Sequence, residues 1–422
     1  MATTSTFDPA FAEFWDTRSE DFYERDTVYR ELADTRIESK LKTGDKFHRQ
    51  YYSQLPRTRN YTRYSDVTIH DTPLTDENIT INQTPIIGFE IDDIDELQAN
   101  YGLTRDLQAK VLPRIGEFMD GDFLAEALNA GLSYDDLDLN PSTGTNNDGV
   151  SFTPSNVYEI FTGIYRKLAK TVKKGLKNNY LFSAISNDLL AVIKQSVFAR
   201  DTEWGDGVGK NGFVGMFAGF KLLVSQSLLW QGFINMATLP IDGDTITLTF
   251  NDDYGTTAVV IRFKTTLAAA NDVKLGATAT ATRDNLVSLL TNSETLADGT
   301  AGTNYHNFAA YNGGFFRQAA GTNENSGVTV KIQGFGALTV AEALTAAADV
   351  WTASKQIEHQ LFGARGCISM VVQKGITLEA RPEPKQLVTN FMPHGVYGVQ
   401  TWQDSKFRMC DVMMRSDGFG AS

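Results

Sequence analysis

The chain has 422 residues, of which 42% are hydrophobic and 21% are charged, so it can bury a large core and is not a disordered segment. Its 38 basic and 51 acidic residues give a net charge of −13, which argues against a protein that coats nucleic acid over its whole surface but leaves room for a local basic patch. The longest apolar run, 213–220, is too short to span a membrane, and the first residues lack the pattern of a secretory signal. Two distant cysteines, Cys367 and Cys410, predict buried free thiols in a reducing compartment.

The first ninety residues have the pattern of extended limbs. Residues 1–40 are aromatic and acidic with weak helical periodicity, which predicts docking against the same subunit or a neighbour. Alternation in SDVTIHD (65–71) and NITINQT (78–84), with a turn at 71–73, predicts a long strand pair. Neither face of this pair carries much apolar surface, so we expect it to lie on another surface.

Three helices are predicted before residue 200. Residues 103–128 carry an apolar stripe at helical spacing, interrupted by Pro113, which is expected to bend or weaken one turn. A second helix is predicted for 154–174, between a Thr-Pro start and Gly175, and a third for 181–198. The closing part of the chain, from 366 to about 414, is predicted to form strands.

Residues 240–350 differ in composition from their flanks. This block has fewer charged residues, is rich in Thr and Ala, and contains no Met, Trp or Cys. Alternation predicts strands in TITLTF (245–250), TAVVIRFKTT (257–266) and GVTVKIQ (327–333), and a short helix at 283–290 with Thr282 as its N-cap. We interpret the block as a separate folding unit inserted into a host domain, the alternative being a long elaborated loop.

One face of the predicted 154–174 helix is basic. No acidic residue lies between Glu159 and Asp188, so the helix has no internal partner for these cations, and their partner is expected to be another subunit or polyanionic nucleic acid. A solvated face with charge pairs elsewhere is the simpler alternative. The cations of this candidate contact face are Arg166, Lys167, Lys170, Lys173 and Lys174.

A second basic and aromatic stretch runs from Arg49 to Tyr64 and contains no acidic residue until Asp66. We take three of its arginines as candidate intersubunit contacts, namely Arg57, Arg59 and Arg63.

Motifs for catalysis, cofactors or metals are weak throughout. The GxGxxG match at 207–212 follows a polar segment rather than a buried strand, so a glycine loop is favoured over a nucleotide site. Asp136, Asp138 and Asn140 imitate the start of a calcium loop, but Pro141 and Asn147 occupy the positions that need Gly and Glu. The acidic run 90–96 favours a solvated helix start over a cation site, and the five histidines lack metal-ligand spacing. We therefore expect no catalytic, cofactor or metal residues, although a catalytic site built from distant residues stays open.

The order of these parts resembles the major capsid proteins of tailed bacteriophages, whose Hong Kong-phage-type fold is shared with herpesvirus capsids. Residues 84–128 look like the return strand of an extended loop running into the spine helix. Residues 211–228 look like the body-domain strand of such proteins, and 353–412 look like their closing strands. The likeness covers most of the host chain and excludes the first 40 residues and the 240–350 block.

The resemblance implies an α+β fold with five parts. These are an N-terminal arm (1–40), an extended E-loop hairpin (41–90), a peripheral domain with the spine helix (91–149 and 366–422), an axial α/β domain (150–239 and 351–365) and a strand-rich insertion domain (240–350). Some family members weld subunits through an E-loop lysine, but this chain has no lysine between Lys46 and Lys110. We expect non-covalent assembly, which a ladder of covalent oligomers on denaturing gels of mature particles would contradict.

The function that the resemblance implies is self-assembly into an icosahedral shell around the double-stranded DNA genome of a phage. Expected partners are further copies in hexamers and pentamers, scaffolding and portal proteins, a decoration protein and packaged DNA bound without sequence specificity. The expected location is the virion capsid, after assembly in the host cytoplasm, with no membrane partner, no cofactor and no enzymatic activity. Another phage or surface assembly protein, such as a tail-tube or adhesin component, is the alternative.

Overall fold

A computed structural model describes residues 27–52, 60–61, 63–64, 66, 69, 72–92, 94, 96, 103–171, 181–198, 215–252, 255–268, 272–290, 323–324, 329–335, 338–345, 357–383 and 387–415. Within these ranges the α-helices are α1 (Tyr29–Leu32), α2 (Leu103–Ala125), α3 (Asp136–Leu139), α4 (Val157–Thr171), α5 (Asn187–Phe198) and α6 (Ala279–Leu290). Short 3₁₀ turns occupy Glu38–Lys40, Glu126–Asn129 and Lys406–Arg408. None of the described helices combines the length and the apolarity needed to cross a membrane.

The strands fall into four sheets. In chain order they are β1 (Lys46–Tyr52), β2 (Leu74–Thr80), β3 (Phe89–Asp92), β4 (Leu132–Tyr134), β5 (Leu181–Ile185), β6 (Met216–Phe217), β7 (Phe220–Val224), β8 (Leu229–Asn235), β9 (Thr245–Asp252), β10 (Gly255–Lys264), β11 (Asp272–Lys274), β12 (Asn323–Glu324), β13 (Thr329–Phe335), β14 (Leu338–Ala343), β15 (Ile357–Ala364), β16 (Ile368–Pro382), β17 (Val388–Thr401) and β18 (Met409–Arg415).

The largest sheet has nine strands and separates two hydrophobic cores. Its main path is β12-β13-β8-β15-β5-β7-β6, while β18 pairs with β15 and carries β4 at its other edge. One face is covered by α4 and α5, with Phe161 in edge-to-face contact with Phe217, Phe220 and Phe362 at centroid distances of 4.9, 5.8 and 5.1 Å. Such aromatic clusters contribute beyond their buried area and fix α4 on the sheet.

The spine helix α2 packs on the opposite face of this sheet. Its buried stripe, including Ile115, Met119 and Phe123, meets α1 and the three-stranded sheet β16-β17-β3 in one core. The predicted helix 103–128 is confirmed over 103–125, runs through Pro113, and ends in the 3₁₀ turn. The predicted closing strands are confirmed as β16, β17 and β18.

The predicted third helix over 181–198 is wrong in its first part. Residues 181–185 form β5, a strand buried at every position, and only 187–198 is helical. Ser186 ends the strand and caps the helix, because its hydroxyl accepts the Leu189 N–H at 3.4 Å. A continuous apolar run gives no periodicity from which this boundary could be located.

The described part of 240–350 contributes to two sheets. Strands β9, β10, β11 and β14 form a four-stranded sheet over α6, with a shared core that includes Leu248, Phe263 and Leu286. Strand β13 pairs along its length with β8, so part of the block continues the nine-stranded sheet. The division of the whole chain into the five parts stays a prediction.

Helix α6 begins four residues earlier than predicted, at 279. Its cap is Thr278, whose hydroxyl accepts the Ala281 N–H at 3.2 Å. The predicted cap, Thr282, lies inside the helix, fully buried, where its hydroxyl donates to the Thr278 carbonyl and accepts the Gly276 N–H.

Candidate assembly surfaces

The hairpin β1–β2 is fastened to the body at its base. The two strands pair antiparallel from Lys46 with Thr80 to Tyr52 with Leu74. Ile79 is fully buried in a cluster with Leu41, Val371 and Trp402. Arg49 stacks over the Trp402 ring at 5.3 Å and forms an ion pair with Asp404. The predicted pairing of 78–84 with 65–71 through a turn at 71–73 is wrong, because β2 spans 74–80 and pairs with 46–52. Alternation indicates a strand but does not identify its partner. The base of the observed hairpin lies on the body of its own chain.

The distal half of the hairpin, which we define as residues 52–74, differs from the base, because the apolar side chains that the structure describes there are exposed. Tyr64 is 90% exposed and Ile69 is 93% exposed. The exposed group also includes Tyr52, Tyr61 and Leu74. Groups of exposed apolar side chains are typical of protein interaction sites, and these five belong to one short segment of the chain.

The predicted arginine contacts of the hairpin are only partly described. Arg63 is exposed and its guanidinium lies 5.3 Å from the centroid of the Tyr64 ring. Arg57, Arg59 and the first residue of the predicted turn at 71–73 lie outside the described residues.

The five residues of the predicted basic face on helix α4 differ in their surroundings. Arg166 and Lys170 are exposed, whereas Lys173 and Lys174 lie outside the described residues. Lys167 forms an ion pair with Asp138 of α3 and donates to the Ser133 carbonyl at 2.7 Å. The expectation that this cation pairs with another subunit or with nucleic acid is therefore corrected for Lys167. The sequence pattern of the helix could not predict this ion pair, because Asp138 lies 29 residues from Lys167 in the chain.

We expect Lys167→Met to lower the free energy of unfolding by about 1 kcal/mol, because a half-buried ion pair and a hydrogen bond are lost. Lys170→Met, which removes the same charge one turn later at an exposed site, is the matched control and is expected to change stability by less than about 0.5 kcal/mol. Urea unfolding of both variants measures the difference. Equal effects would contradict the assignment of Lys167 to an intramolecular role.

The turn 402–408 brings both basic segments to one place. Arg49 contacts Trp402 from the hairpin side, and the Thr171 hydroxyl at the end of α4 donates to the Phe407 carbonyl at 3.1 Å. Phe407 itself is 45% exposed. The hairpin base and the end of α4 thus both contact this turn.

Residues 27–34, which we call the arm root, anchor the start of the described chain through three buried side chains. Val28, Tyr29 and Leu32 lie in the core under α2. The carboxylate of Asp120 on α2 accepts the backbone N–H groups of Val28 and Tyr29, both at 2.8 Å, and the Ser225 hydroxyl at 2.9 Å. Burial is the main cause that raises the pKa of Asp120 to about 6, although these three donors act in the opposite direction.

Further contacts connect the arm root to the nine-stranded sheet and to the three-stranded sheet β16-β17-β3. Lys221 of β7 forms an ion pair with Glu31, and Arg365 donates to the Glu31 carbonyl at 2.9 Å. The Gly366 N–H donates to the Leu32 carbonyl at 2.9 Å, and Asp34 bridges to Ser369. Asp120 was not predicted as a functional residue. The signal available in the sequence was its position directly after Met119, at the edge of the apolar stripe.

In the segment that resembles the start of a calcium loop, the carboxylates accept hydrogen bonds from nearby backbone N–H groups. Asp135 accepts the N–H groups of Asp138 and Asn147, and Asp136 accepts the Thr145 N–H at 3.1 Å. These carboxylates cap α3 and close the following loop, which is their structural role. Among the described side chains, no group of three or more His, Cys, Asp or Glu could hold a metal ion.

The remaining candidates lie apart. His359 is buried and pairs with Asp411 at 2.8 Å, His48 pairs with Asp76, and His394 lies 2.6 Å from the Lys374 ammonium. The glycine loop 207–212 lies outside the described residues. Both cysteines are buried free thiols, and burial raises the pKa of Cys367 to about 12 and raises the pKa of Cys410.

The overall fold is similar to that of chains in solved phage structures. A structure from Mycobacterium phage Che8 superposes with a TM-score of 0.55 over 97% of this chain and 98% of that chain, at 12% identity. The capsid of cyanophage P-SCSP1u gives 0.52 over 98% and 95%, at 10% identity. The mature capsid of bacteriophage PhiM1 gives 0.50 over 96% and 92%, at 9% identity.

At this level of identity the likeness establishes the fold. The expected α+β fold of the tailed-phage capsid type is therefore confirmed. No family model matches the sequence. No curated protein matches it either.

Proposed function

We propose that this protein is the major capsid protein of a tailed phage, which assembles into the icosahedral shell around the double-stranded DNA genome. The observation that carries the proposal is the hairpin, whose base packs on its own body while its described distal side chains, such as Tyr64 and Ile69, are almost fully exposed. The exposed apolar side chains contribute no burial free energy in the monomer. In a lattice of identical copies, each hairpin would be covered by a neighbouring chain. The fold shared with phage capsid chains supports the same conclusion.

Under this proposal the partners are further copies in hexamers and pentamers, scaffolding and portal proteins, a decoration protein, and DNA bound without sequence specificity. The protein would be located in the virion capsid after assembly in the host cytoplasm, and it would be a structural protein rather than an enzyme. A tail-tube or adhesin component is the second candidate, because strand-rich modules such as 240–350 also suit extended surface assemblies.

Electron microscopy of the expressed full chain tests the proposal. Closed shells of uniform diameter are expected, alone or with a co-expressed scaffolding protein. Tubes or fibres would favour the second candidate. Small soluble particles at all concentrations, with and without scaffolding protein, would contradict both.

The domain boundaries lead to a second experiment, in which residues 240–350 are replaced by a short linker. Because β13 pairs with β8, and because Trp230, Ile234 and Met236 are buried in the core under α6, removal would expose all three side chains. Each such side chain contributes about 1.5–3 kcal/mol on burial. We therefore expect an insoluble or strongly destabilised chain, measured by its soluble fraction and thermal midpoint. Abundant normal shells would make the block dispensable for folding.

The proposal also assigns an electrostatic role to the two basic segments. The hairpin arginines Arg57, Arg59 and Arg63, or the basic face of α4, would offset the acidic excess of −13 at subunit boundaries or at the inner surface. Charge reversal at Lys170 and Lys173 is expected to impair assembly or genome packaging. Unchanged assembly and packaging would remove this part of the proposal.

A further inference from the structure

We infer that the outer face of α4 contacts an acidic surface on a second copy of this chain, rather than nucleic acid. We define this outer face as Tyr158, Thr162, Tyr165, Arg166, Ala169 and Lys170, together with the adjoining Met216. The inference rests on the proposed function, since the contact exists only between assembling copies.

The position of this face follows from the packing of the helix. Ile160, Phe161 and Ile164 are fully buried against the nine-stranded sheet, so the opposite side of α4 faces solvent. Residues 158, 162, 165 and 169 lie three and four positions apart and therefore form one row. Tyr158 and Tyr165 are each 45% exposed.

The row continues onto the neighbouring strand β6. The Tyr158 ring meets Phe217 edge to face at 6.0 Å, and Met216, next to Phe217, is 51% exposed. Three large apolar side chains are thus presented on a helix and a strand that share a rigid core. Little ordering entropy is lost when a partner covers such a surface.

The composition of this face fits protein rather than DNA. Tyrosine, methionine and arginine are enriched at the centres of protein interfaces, and tyrosine and arginine are frequent hot spots. Double-stranded DNA is bound through phosphates by lysine and arginine, and its stacked bases offer no open face to a tyrosine. Two exposed tyrosines and a methionine would add nothing to such a contact.

Charge complementarity selects the partner. Within the part of the chain that the structure describes, no ion pair is formed by Arg166 or Lys170. The exposed Glu159 lies on the same side of α4, so the two cations exceed the acid by one, whereas the chain as a whole has an acidic excess of 13, carried elsewhere on each copy. A basic face that meets a different, acidic face gives a head-to-tail contact, and such contacts close into rings when the rotation permits.

The test compares Tyr165→Ala and Arg166→Gln with wild type in the full chain. Sedimentation velocity over a concentration series measures association, and fluorescence anisotropy with a 30-base-pair duplex measures DNA binding. Both variants are expected to require about tenfold more protein for association, while DNA binding stays unchanged. Gln195→Ala, at an exposed position of α5, is the control and is expected to behave as wild type in both assays.

Thermal unfolding keeps a folding defect apart from a contact defect, since both substitutions are at exposed sites and should leave the midpoint unchanged. Variants that associate at wild-type concentrations would overturn the contact alone. Weakened duplex binding with normal association would assign the face to nucleic acid and overturn it as well. A wild-type protein that forms no assemblies would remove the proposed function together with this inference.

Discussion

Replacement of Asp120 by alanine is expected to lower the free energy of unfolding by about 3 kcal/mol or more. The substitution leaves three buried donors without an acceptor, namely the N–H groups of Val28 and Tyr29 and the Ser225 hydroxyl. Each unsatisfied buried donor costs about 1–3 kcal/mol. The arm root would detach from α2, and urea unfolding together with proteolysis near residue 27 would report both effects.

The isosteric change Asp120→Asn separates the hydrogen bonds from the charge. Its amide oxygen can still accept the two backbone N–H groups, and its amide nitrogen can donate to Ser225. Since burial raises the pKa of Asp120 to about 6, above its ordinary 3.8, the group stabilises the fold fully only below about pH 4. This contribution is lost as the pH rises through about 6.

Wild type should therefore lose stability relative to Asp120→Asn between about pH 4 and pH 7, and the asparagine variant should equal or exceed wild type at pH 7. Glu90→Gln removes one exposed carboxylate from β3, away from Asp120, and is the control, expected to show no such crossover. A fall in the stability of Asp120→Asn at pH 7 comparable with that of the alanine variant would show that the carboxylate charge itself holds the arm root.

The second large effect is expected at the distal hairpin. The double change Tyr64→Ser and Ile69→Ser should abolish shells, or raise the concentration needed for assembly at least tenfold, because interface hot spots commonly contribute 2 kcal/mol or more. Both residues are almost fully exposed in the monomer, so its unfolding free energy should change by less than about 0.5 kcal/mol. Light scattering during assembly and chemical denaturation measure the two quantities.

Ile241→Ser is the matched control for the hairpin change. It removes an exposed aliphatic side chain, 56% exposed, from the 240–350 block, and it should leave assembly rates within about twofold of wild type. Normal shells from the hairpin variant would contradict the role assigned to this limb.

The sequence predicted those elements that have a periodic pattern and a clear boundary. The stripe through Ile115 and Met119 predicted the spine helix, and alternation predicted β9 and β10. Strand β5 was missed because its residues are buried on both faces and therefore show neither the helical nor the strand period. Thr282 was taken for a cap because the local pattern could not show that Thr278 fills this role.

The residues of the candidate surfaces also differ in whether a local sequence pattern could predict their role. Exposed cations such as Arg166 and Lys170 could be found in the sequence, because a run without acids is a local property. The partners of Lys167 and Asp120 could not be found, because Asp138 and Val28 are 29 and 92 residues distant. Such pairs are created by the path of the chain, which periodicity does not record.

The central position of β15 also affects how the chain folds during synthesis. This strand lies between β5 and β8, yet its Gln360 follows Ser186, which contacts it, by 174 residues. At about 5–20 residues per second, the ribosome takes roughly ten to thirty seconds to supply the missing strand. Until then the edges of β5 and β8 stay open to wrong pairing, so nascent chains at high expression would depend on chaperones, and any truncation before 357 should aggregate.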